Sequence, residues 1–265
     1  MNPETAITSW KQWQCKLSSK PEIVHQLAGG RSNRNYLLES GGVQMVLRLH
    51  DNETLLPWAS RNIEARIWQT ASARGITPPL LYADEQNRFL VSTFIEHSLP
   101  SPIQLDEVLL NRIFTLVKQC HDLEVAVPTL DYAQHIDHYW ALINKRNTAI
   151  SESLLLQREP MRAVLESLLQ ANPQTGLCHH DLVKANFVGS RQRLYLIDWE
   201  YAAKGLLIMD YAALLMEWEI DDTKLLQQTG TDPEHLSMAK SLYKYLCALW
   251  EQARLINDPK PGSSV

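Results

Sequence analysis

The pattern of apolar residues changes near residue 100, and this change limits the folds that the chain can adopt. Before it, apolar residues alternate in short runs bounded by turn residues, a pattern typical of strands. After it, they recur at helical intervals over long stretches. We therefore predict an α+β fold with two lobes. A small N-terminal lobe with an antiparallel sheet covers 1–96, and a larger, mainly helical lobe covers 97–265.

The elements of the first lobe are delimited by glycine and proline. Segment 28–33, Ala-Gly-Gly-Arg-Ser-Asn, and the pair Gly41-Gly42 are the predicted turns of its first three strands. The predicted strands are Glu22–Leu27, Arg34–Glu39, Val43–Leu49, Leu80–Ala83 and Arg88–Phe94, with a helix at Arg61–Ala73. In the second lobe we predict helices at Leu105–Leu123, His138–Asn147, Glu159–Gln170, Asp210–Glu219 and His235–Leu255, interrupted by a hairpin of Phe187-Val188 and Leu194–Ile197.

Composition excludes several classes of protein. With 45% hydrophobic and 21% charged residues, the chain is expected to be globular and not disordered. A net charge of −5 without a basic stripe argues against nucleic acid as the main partner. The sequence has no apolar run long enough to cross a membrane and no N-terminal signal pattern, so we expect a cytoplasmic protein.

The strongest chemical pattern is His179-His-Asp-Leu-Val-Lys-Ala-Asn186, followed by the predicted hairpin and Asp198. Phosphoryl transfer from ATP needs a group that orients the attacking hydroxyl and oxygen ligands for Mg²⁺. Asp181 is the predicted catalytic base. Asn186 and Asp198 are the predicted metal ligands, and His179 is expected to brace the loop.

These residues, with Ile197-Asp-Trp-Glu-Tyr201, resemble the choline/ethanolamine kinases and their relatives, thiamine kinase and the aminoglycoside phosphotransferases. The family's H-x-D-x4-N loop and I-D-[FW]-E-Y segment are both present. The resemblance extends over about 26–219 and implies a protein-kinase-like fold. It also implies ATP and Mg²⁺ as cofactors.

Segment 29–36, Gly-Gly-Arg-Ser-Asn-Arg-Asn-Tyr, is similar to the glycine-rich nucleotide loop of that family, in which backbone N–H groups can approach phosphates. Arg48 occupies the position of the phosphate-binding lysine of protein kinases, and Glu64 is its expected ion-pair partner. The residues expected to bind the nucleotide are Gly29, Gly30, Ser32, Asn33, Arg48, Glu64, Thr93 and Ile95.

The acceptor is expected to be a small cationic alcohol, because such a ligand suits aromatic rings combined with a carboxylate. Besides Asp181, the residues expected to bind it are Glu200, Tyr201, Glu217 and Trp218. Choline, ethanolamine and thiamine all fit this description, and the choice among them stays open. An aminoglycoside ranks behind them because no strongly acidic pocket is evident in the sequence.

Two functions of other classes remain open at this point. A catalytically inactive nucleotide-binding protein would lack a base or a metal ligand, yet Asp181, Asn186 and Asp198 are all present. A metal-dependent hydrolase could use His179, His180 and Asp181, but it would need further ligands at suitable spacing.

Overall fold

A computed structural model describes residues 1–28, 33–50, 59–99, 103–145, 150–171 and 173–255. In chain order the elements are α1 (Pro3–Ala6), a 3-10 helix (Ile7–Gln12), β1 (Glu22–Gln26), β2 (Asn33–Ser40), β3 (Val43–His50), α2 (Arg61–Ala73), β4 (Leu80–Ala83), β5 (Phe89–Thr93), α3 (Glu107–His121), α4 (Tyr132–Lys145), α5 (Glu152–Gln170), β6 (Thr175–Cys178), a second 3-10 helix (Lys184–Asn186), β7 (Phe187–Gly189), β8 (Leu194–Leu196), β9 (Ala203–Leu206), α6 (Leu207–Trp218), α7 (Asp222–Thr229) and α8 (Pro233–Leu255). The predicted α+β class is confirmed.

The chain divides into two compact units. Unit 1 comprises Met1–Val127 and Lys184–Ala202, and unit 2 comprises Pro128–Val183 and Ala203–Val265. The predicted division after residue 96 does not coincide with these units. Helix α3 packs on β8, and the Ser98 N–H donates to the Gly189 carbonyl at 2.9 Å. Both the segment after β5 and the β7–β8 hairpin therefore group with the sheet.

Unit 1 is built on a five-stranded antiparallel sheet with the strand order β1-β2-β3-β5-β4. The turn between β2 and β3 is the predicted Gly41-Gly42 pair, with φ values of 56° and 81° that favour glycine. Alternate residues of β2, β3 and β5 form one face of the core, and they include Leu38, Met45, Leu47, Leu49, Phe89 and Val91. Strand β3 lies at the centre of the sheet, so its side chains have fixed neighbours on both sides.

Unit 2 is mainly helical, and α8 packs against α4, α5 and α6. The Trp140 indole on α4 donates to the Tyr245 hydroxyl on α8 at 2.9 Å, deep in this core. Strands β6 and β9 pair antiparallel, with Cys178 opposite Ala203. In the described part of the chain, no helix is both long and apolar enough to span a membrane.

Helix α5 starts seven residues before its predicted beginning at Glu159. The sequence favours a start there because Pro160 suits the first turn of a helix, where its missing N–H costs nothing. In the structure Pro160 lies inside the helix. Burial of Leu154, Leu165 and Leu168 against the helical core outweighs the hydrogen bond that proline removes.

Strands β6 and β9 and helices α1 and α7 were absent from the predicted elements. Strands β6 and β9 are four residues each and contain no β-branched residue apart from Thr175, so neither carries a clear strand signal. Helix α7 is short and buries only Leu225. These pieces nevertheless matter, because the predicted catalytic loop begins where β6 ends.

The β7–β8 hairpin provides a stability test. Gly189 has φ 117°, and a Cβ at this position would lie 2.3 Å from the Arg193 carbonyl oxygen. Gly42 also has a positive φ, but a Cβ there would meet nothing within 4 Å. We expect Gly189→Ala to reduce the free energy of unfolding by about 1–3 kcal/mol more than Gly42→Ala, because an overlap adds to the backbone strain.

Urea denaturation of both variants measures this difference. Equal midpoints and equal slopes for the two would contradict the account of the hairpin.

Candidate active site

The β7–β8 hairpin connects the two predicted metal ligands in unit 1. Asn186 ends the second 3-10 helix, and its carbonyl accepts a hydrogen bond from the Ile197 N–H at 3.0 Å. This bond holds the backbones of Asn186 and Ile197 together across the hairpin. Because Asp198 follows Ile197 directly, the backbones of the two predicted metal ligands lie close together. Asp198 adopts a left-handed conformation with φ 69°, which is unusual for a residue other than glycine.

Arg48 on β3 is the centre of a group of buried charges. Its Nη2 lies 2.8 Å from Glu64 Oε1 and 2.7 Å from Asp198 Oδ1. The Arg48 side chain is 7% exposed and the Glu64 side chain 2%, whereas that of Asp198 is 25% exposed. The predicted ion pair between Arg48 and Glu64 is therefore confirmed, and Asp198 is the partner that solvent can still reach.

Glu200 and Arg61 complete this group. The Glu200 carboxylate accepts hydrogen bonds from Asn33 Nδ2 at 3.1 Å and from Arg61 Nη1 at 3.4 Å. Arg61 Nη1 also donates to Glu64 Oε2 at 2.9 Å. We call Arg48, Arg61, Glu64, Asp198 and Glu200 the charged cluster.

Electrostatics keeps Arg48 charged. Burial disfavours its guanidinium cation, but the carboxylates of Asp198, Glu64 and Glu200 outweigh burial and raise the pKa of Arg48 above its ordinary value. The pKa of His50, two residues further along β3, shifts in the opposite direction. Burial lowers the pKa of His50 to about 4, so its imidazole is neutral near pH 7.

The loop after β6 is anchored in unit 2 by a buried carboxylate. Asp210 on α6 accepts a hydrogen bond from the His179 N–H at 2.8 Å and another from the His180 N–H at 2.9 Å. Asp210 and His179 are both fully buried. Charged acceptors make strong hydrogen bonds, so this bidentate arrangement fixes the backbone that leads directly into Asp181.

His180 has φ 62°, and its side chain is held by a second anchor. Its Nε2 lies 2.9 Å from the Tyr132 hydroxyl, which itself accepts a hydrogen bond from the Leu206 N–H at 3.1 Å. A Cβ on Gly205 would lie 2.6 Å from both His180 Nε2 and the Tyr132 hydroxyl. Gly205 therefore leaves the space in which the histidine and the tyrosine meet.

Asp181 is partly exposed. The backbone of Leu182, the next residue, is held by a hydrogen bond from α6. The Leu182 carbonyl accepts a hydrogen bond from the indole N–H of Trp218, which is 1% exposed. Glu217, on the same turn of α6, accepts a hydrogen bond from the Tyr243 hydroxyl of α8 at 3.0 Å. Trp218 thus has a packing role beneath the loop, and its contact with an acceptor stays a prediction.

The remaining predicted residues lie in unit 1 or outside the described residues. Glu200 lies in the charged cluster, and its expected contact with the acceptor stays a prediction. Tyr201 follows it and is partly buried. Thr93 ends β5, and its N–H donates to the Pro79 carbonyl at 2.9 Å. Gly29, Gly30 and Ser32 are outside the described residues, whereas Asn33 begins β2 and is buried.

Ile95 has the property expected of a backbone ligand for a nucleotide base. It follows β5, is half-buried, and makes no backbone hydrogen bond with the described residues. The preceding residue, Phe94, donates its N–H to the Gln44 carbonyl at 3.2 Å, which fixes the chain beside β3. The contact between the backbone of Ile95 and the nucleotide base stays a prediction.

Sequence reasoning missed three residues of the site. Asp210 was a candidate only for binding a cationic acceptor, and Arg61 and Tyr132 were given no role in the site. Arg61 precedes Glu64 by three residues on a predicted helix, a spacing that places both on one face, so this signal was present. The contacts of Asp210 and Tyr132 depend on the β6–β9 pairing, for which the sequence carried no clear signal.

The charged cluster has the donors and acceptors that a magnesium–nucleotide complex requires. Arg48 Nε is buried and makes no hydrogen bond with the described residues, and a phosphate oxygen is a suitable acceptor for it. The carboxylate of Asp198 and the amide oxygen of Asn186 are of the type that Mg²⁺ prefers. Residues of this chain therefore fit both groups.

A comparison with models of protein families identifies the class of this chain. Residues 23–242 match the model of the family described as "Phosphotransferase enzyme family". Because the match covers most of the sequence, the chain belongs to this family.

The chain is also similar to proteins named LicA, in sequence and in structure. Protein LicA from Haemophilus influenzae is 26% identical over 194 residues, which are 71% of this chain and 56% of that protein. The match thus spans little more than half of that relative. The structure of LicA in complex with AMP gives a TM-score of 0.75 at 25% identity, covering 97% of this chain and 91% of the other.

A choline/ethanolamine kinase family protein from Mesorhizobium loti has the same fold. Its TM-score is 0.72 at 19% identity, with 99% of this chain and 90% of the other covered. The predicted relation to the choline kinases within the aminoglycoside phosphotransferase-like superfamily is confirmed.

Asp210 provides a test of how the loop is held. Asp210→Asn keeps the size of the side chain but replaces one acceptor oxygen by an NH₂ group, which faces a backbone N–H. An unsatisfied buried donor costs about 1–3 kcal/mol, so we expect a lower melting temperature. We also expect kcat to fall at least tenfold, with the Kd for ADP changed less than twofold.

Calorimetry and steady-state kinetics measure these effects. The matched control is Asp222→Asn, which removes a partly exposed carboxylate paired with Lys240 in the same unit. An equal loss of stability and of kcat in the two variants would contradict the anchoring role of Asp210.

Proposed function

We propose that the chain is a small-molecule kinase that transfers the γ-phosphoryl group of ATP to the hydroxyl of a small cationic alcohol of the choline, ethanolamine or thiamine type. The observation that carries this proposal is the charged cluster on β3, α2 and the β7–β8 hairpin. Two buried arginines are held by three carboxylates there, and the most exposed of these carboxylates is Asp198.

On the nucleotide side, Arg48 binds phosphate oxygens and Glu64 orients it. The backbone and side chains of segment 29–33 contribute further phosphate donors, and the backbone of Ile95 holds the base. Asn186 and Asp198 are the residues that would hold Mg²⁺, and the ion would supply positive charge against the phosphates. The LicA structure with AMP supports a nucleotide site on this fold.

On the acceptor side, Asp181 takes the proton of the attacking hydroxyl. The bond between the γ-phosphorus and the bridging oxygen breaks, and a bond between the acceptor oxygen and phosphorus forms. ADP leaves with the electron pair of the broken bond. His179 and Asp210 keep the loop backbone fixed while the proton moves.

The choice of a cationic acceptor is supported by the negative charge around Cys247 on α8. Burial raises the pKa of the Cys247 thiol to about 11. A hydrogen bond with Tyr243 opposes this shift, whereas the charges of Glu217, Glu251 and Asp181 add to it. Three carboxylates in unit 2 thus act on one thiol, and one of them is the proposed base. A positively charged acceptor reduces their mutual repulsion.

Steady-state kinetics with a panel of acceptors tests the proposal. ADP release is measured with Mg²⁺-ATP and choline, ethanolamine, thiamine or an aminoglycoside, and the phosphorylated product is identified by mass spectrometry. We expect one cationic alcohol to give a kcat/KM at least tenfold above the others. Selective turnover of the aminoglycoside would replace the acceptor class, and absence of turnover with every acceptor would count against catalysis.

The same assay tests Asp181. Asp181→Asn removes the proton acceptor, so kcat should fall by about 10²- to 10⁴-fold, while the Kd for ADP changes less than twofold. Asp137→Asn, an exposed carboxylate in unit 2, is the control and should keep full activity. Retention of wild-type kcat by Asp181→Asn would exclude this residue as the base.

Glu217 tests the recognition of the acceptor's charge. Glu217→Gln keeps the hydrogen bond with Tyr243 possible but removes a negative charge, so the KM for the cationic acceptor should rise about tenfold while the KM for ATP stays unchanged. Glu234→Gln removes an exposed charge from the first turn of α8 and serves as control. An unchanged acceptor KM in Glu217→Gln would contradict this role.

A further inference from the structure

Arg61 has one half of its guanidinium group engaged and the other half without partners. Its Nη1 donates to Glu64 and Glu200. Its Nε and Nη2 are buried and make no hydrogen bond with any residue that the structure describes. The side chain as a whole is only 13% exposed, so bulk water is a poor substitute for the missing acceptors.

Nε and Nη2 together form one edge of the Arg61 guanidinium group. The N–H groups of Nε and Nη2 point in parallel, and this fork matches two oxygens of a single carboxylate or phosphate group. The two carboxylates of the charged cluster that contact Arg61, those of Glu64 and Glu200, do so through Nη1. Among the described residues no acceptor is assigned to this edge, which suits a carboxylate or a phosphate group.

Arg61 lies close to Arg48, because two carboxylates contact both arginines. Glu64 bridges the two arginines, with Oε1 paired to Arg48 at 2.8 Å and Oε2 paired to Arg61 at 2.9 Å. Glu200 Oε2 lies 3.7 Å from Arg48 and 3.4 Å from Arg61. A polyphosphate that contacts Arg48 therefore passes within reach of the second arginine.

We propose that Arg61 is a second phosphate-binding residue, whose Nε and Nη2 bind oxygens of the nucleotide beyond the α-phosphate. The inference rests on the proposed function, since it takes the charged cluster as the nucleotide site. It adds a residue that has a distinct specificity: Arg61 distinguishes ADP and ATP from AMP.

Equilibrium binding tests this inference without turnover. Isothermal titration calorimetry with Mg²⁺ and no acceptor gives the Kd for ADP and for AMP on the full chain. Arg61→Gln should weaken ADP binding by about 10- to 100-fold and AMP binding by less than threefold. Arg61→Lys keeps the charge but not the fork, so it should show the same selective loss, with a smaller magnitude.

The controls separate binding from folding. Arg88→Gln removes an arginine that pairs with Asp84 in the same unit and should leave both Kd values unchanged. Melting temperature and circular dichroism verify that each variant is folded. If Arg61→Gln does not fold, Arg61→Lys carries the test, because its ammonium group can still pair with Glu64.

Each outcome has a defined meaning. Equal weakening of ADP and AMP, or an unchanged Kd for ADP, would overturn the proposal and leave Arg61 with the structural role of holding Glu64 and Glu200. Failure of the wild-type chain to bind ADP at all would instead overturn the proposed function. The two failures are therefore distinguishable.

Discussion

The two ion pairs of the Glu64 carboxylate hold Arg48 and Arg61, the arginines of the charged cluster in unit 1. This carboxylate is almost completely buried, and each of its oxygens pairs with a different arginine. Without it, the guanidinium groups of Arg48 and Arg61 would retain, among the described residues, only Asp198 and Glu200 as counter-charges. Removal of one partner from a buried ion pair is strongly destabilising, at about 3–5 kcal/mol. Glu64 thus links helix α2 to strand β3, and Arg48 extends this link to Asp198, which follows the β7–β8 hairpin.

The catalytic segment depends on two left-handed residues that are not glycine. His180 and Asp198 have φ values of 62° and 69°, and each adjoins or forms a predicted functional position. Such conformations persist where surrounding contacts fix them. At His180 these contacts are the Asp210 carboxylate and the Tyr132 hydroxyl, and at Asp198 they include the ion pair with Arg48. The strained backbone conformations of His180 and Asp198 thus occur where the surrounding contacts hold them, at or beside residues predicted to act in phosphoryl transfer.

The sequence was sufficient for features with strong local signals. The alternating strands and the Gly41-Gly42 turn could be predicted because periodicity and spacing specify them directly, whereas the Arg48–Glu64 ion pair was predicted from the resemblance to kinases. The role of Asp210 could not be predicted, since its partners are backbone N–H groups 30 and 31 residues away, and backbone contacts leave no residue signature. The contacts of Glu200 with Asn33 and Arg61 could not be predicted for a related reason. Adjacent residues on an irregular segment can point in different directions, and only coordinates show which way each points.

The most direct test of the account is the fate of the γ-phosphoryl group. Single-turnover reactions with ATP labelled with ¹⁸O in the γ-phosphoryl group, followed by mass spectrometry, compare label in the phosphorylated acceptor with label in inorganic phosphate. The account predicts that nearly all label enters the acceptor, with one phosphorylated alcohol formed for each ADP. Label that appears mainly in inorganic phosphate, at the same rate with and without a cationic alcohol, would contradict a kinase and indicate a nucleotide hydrolase.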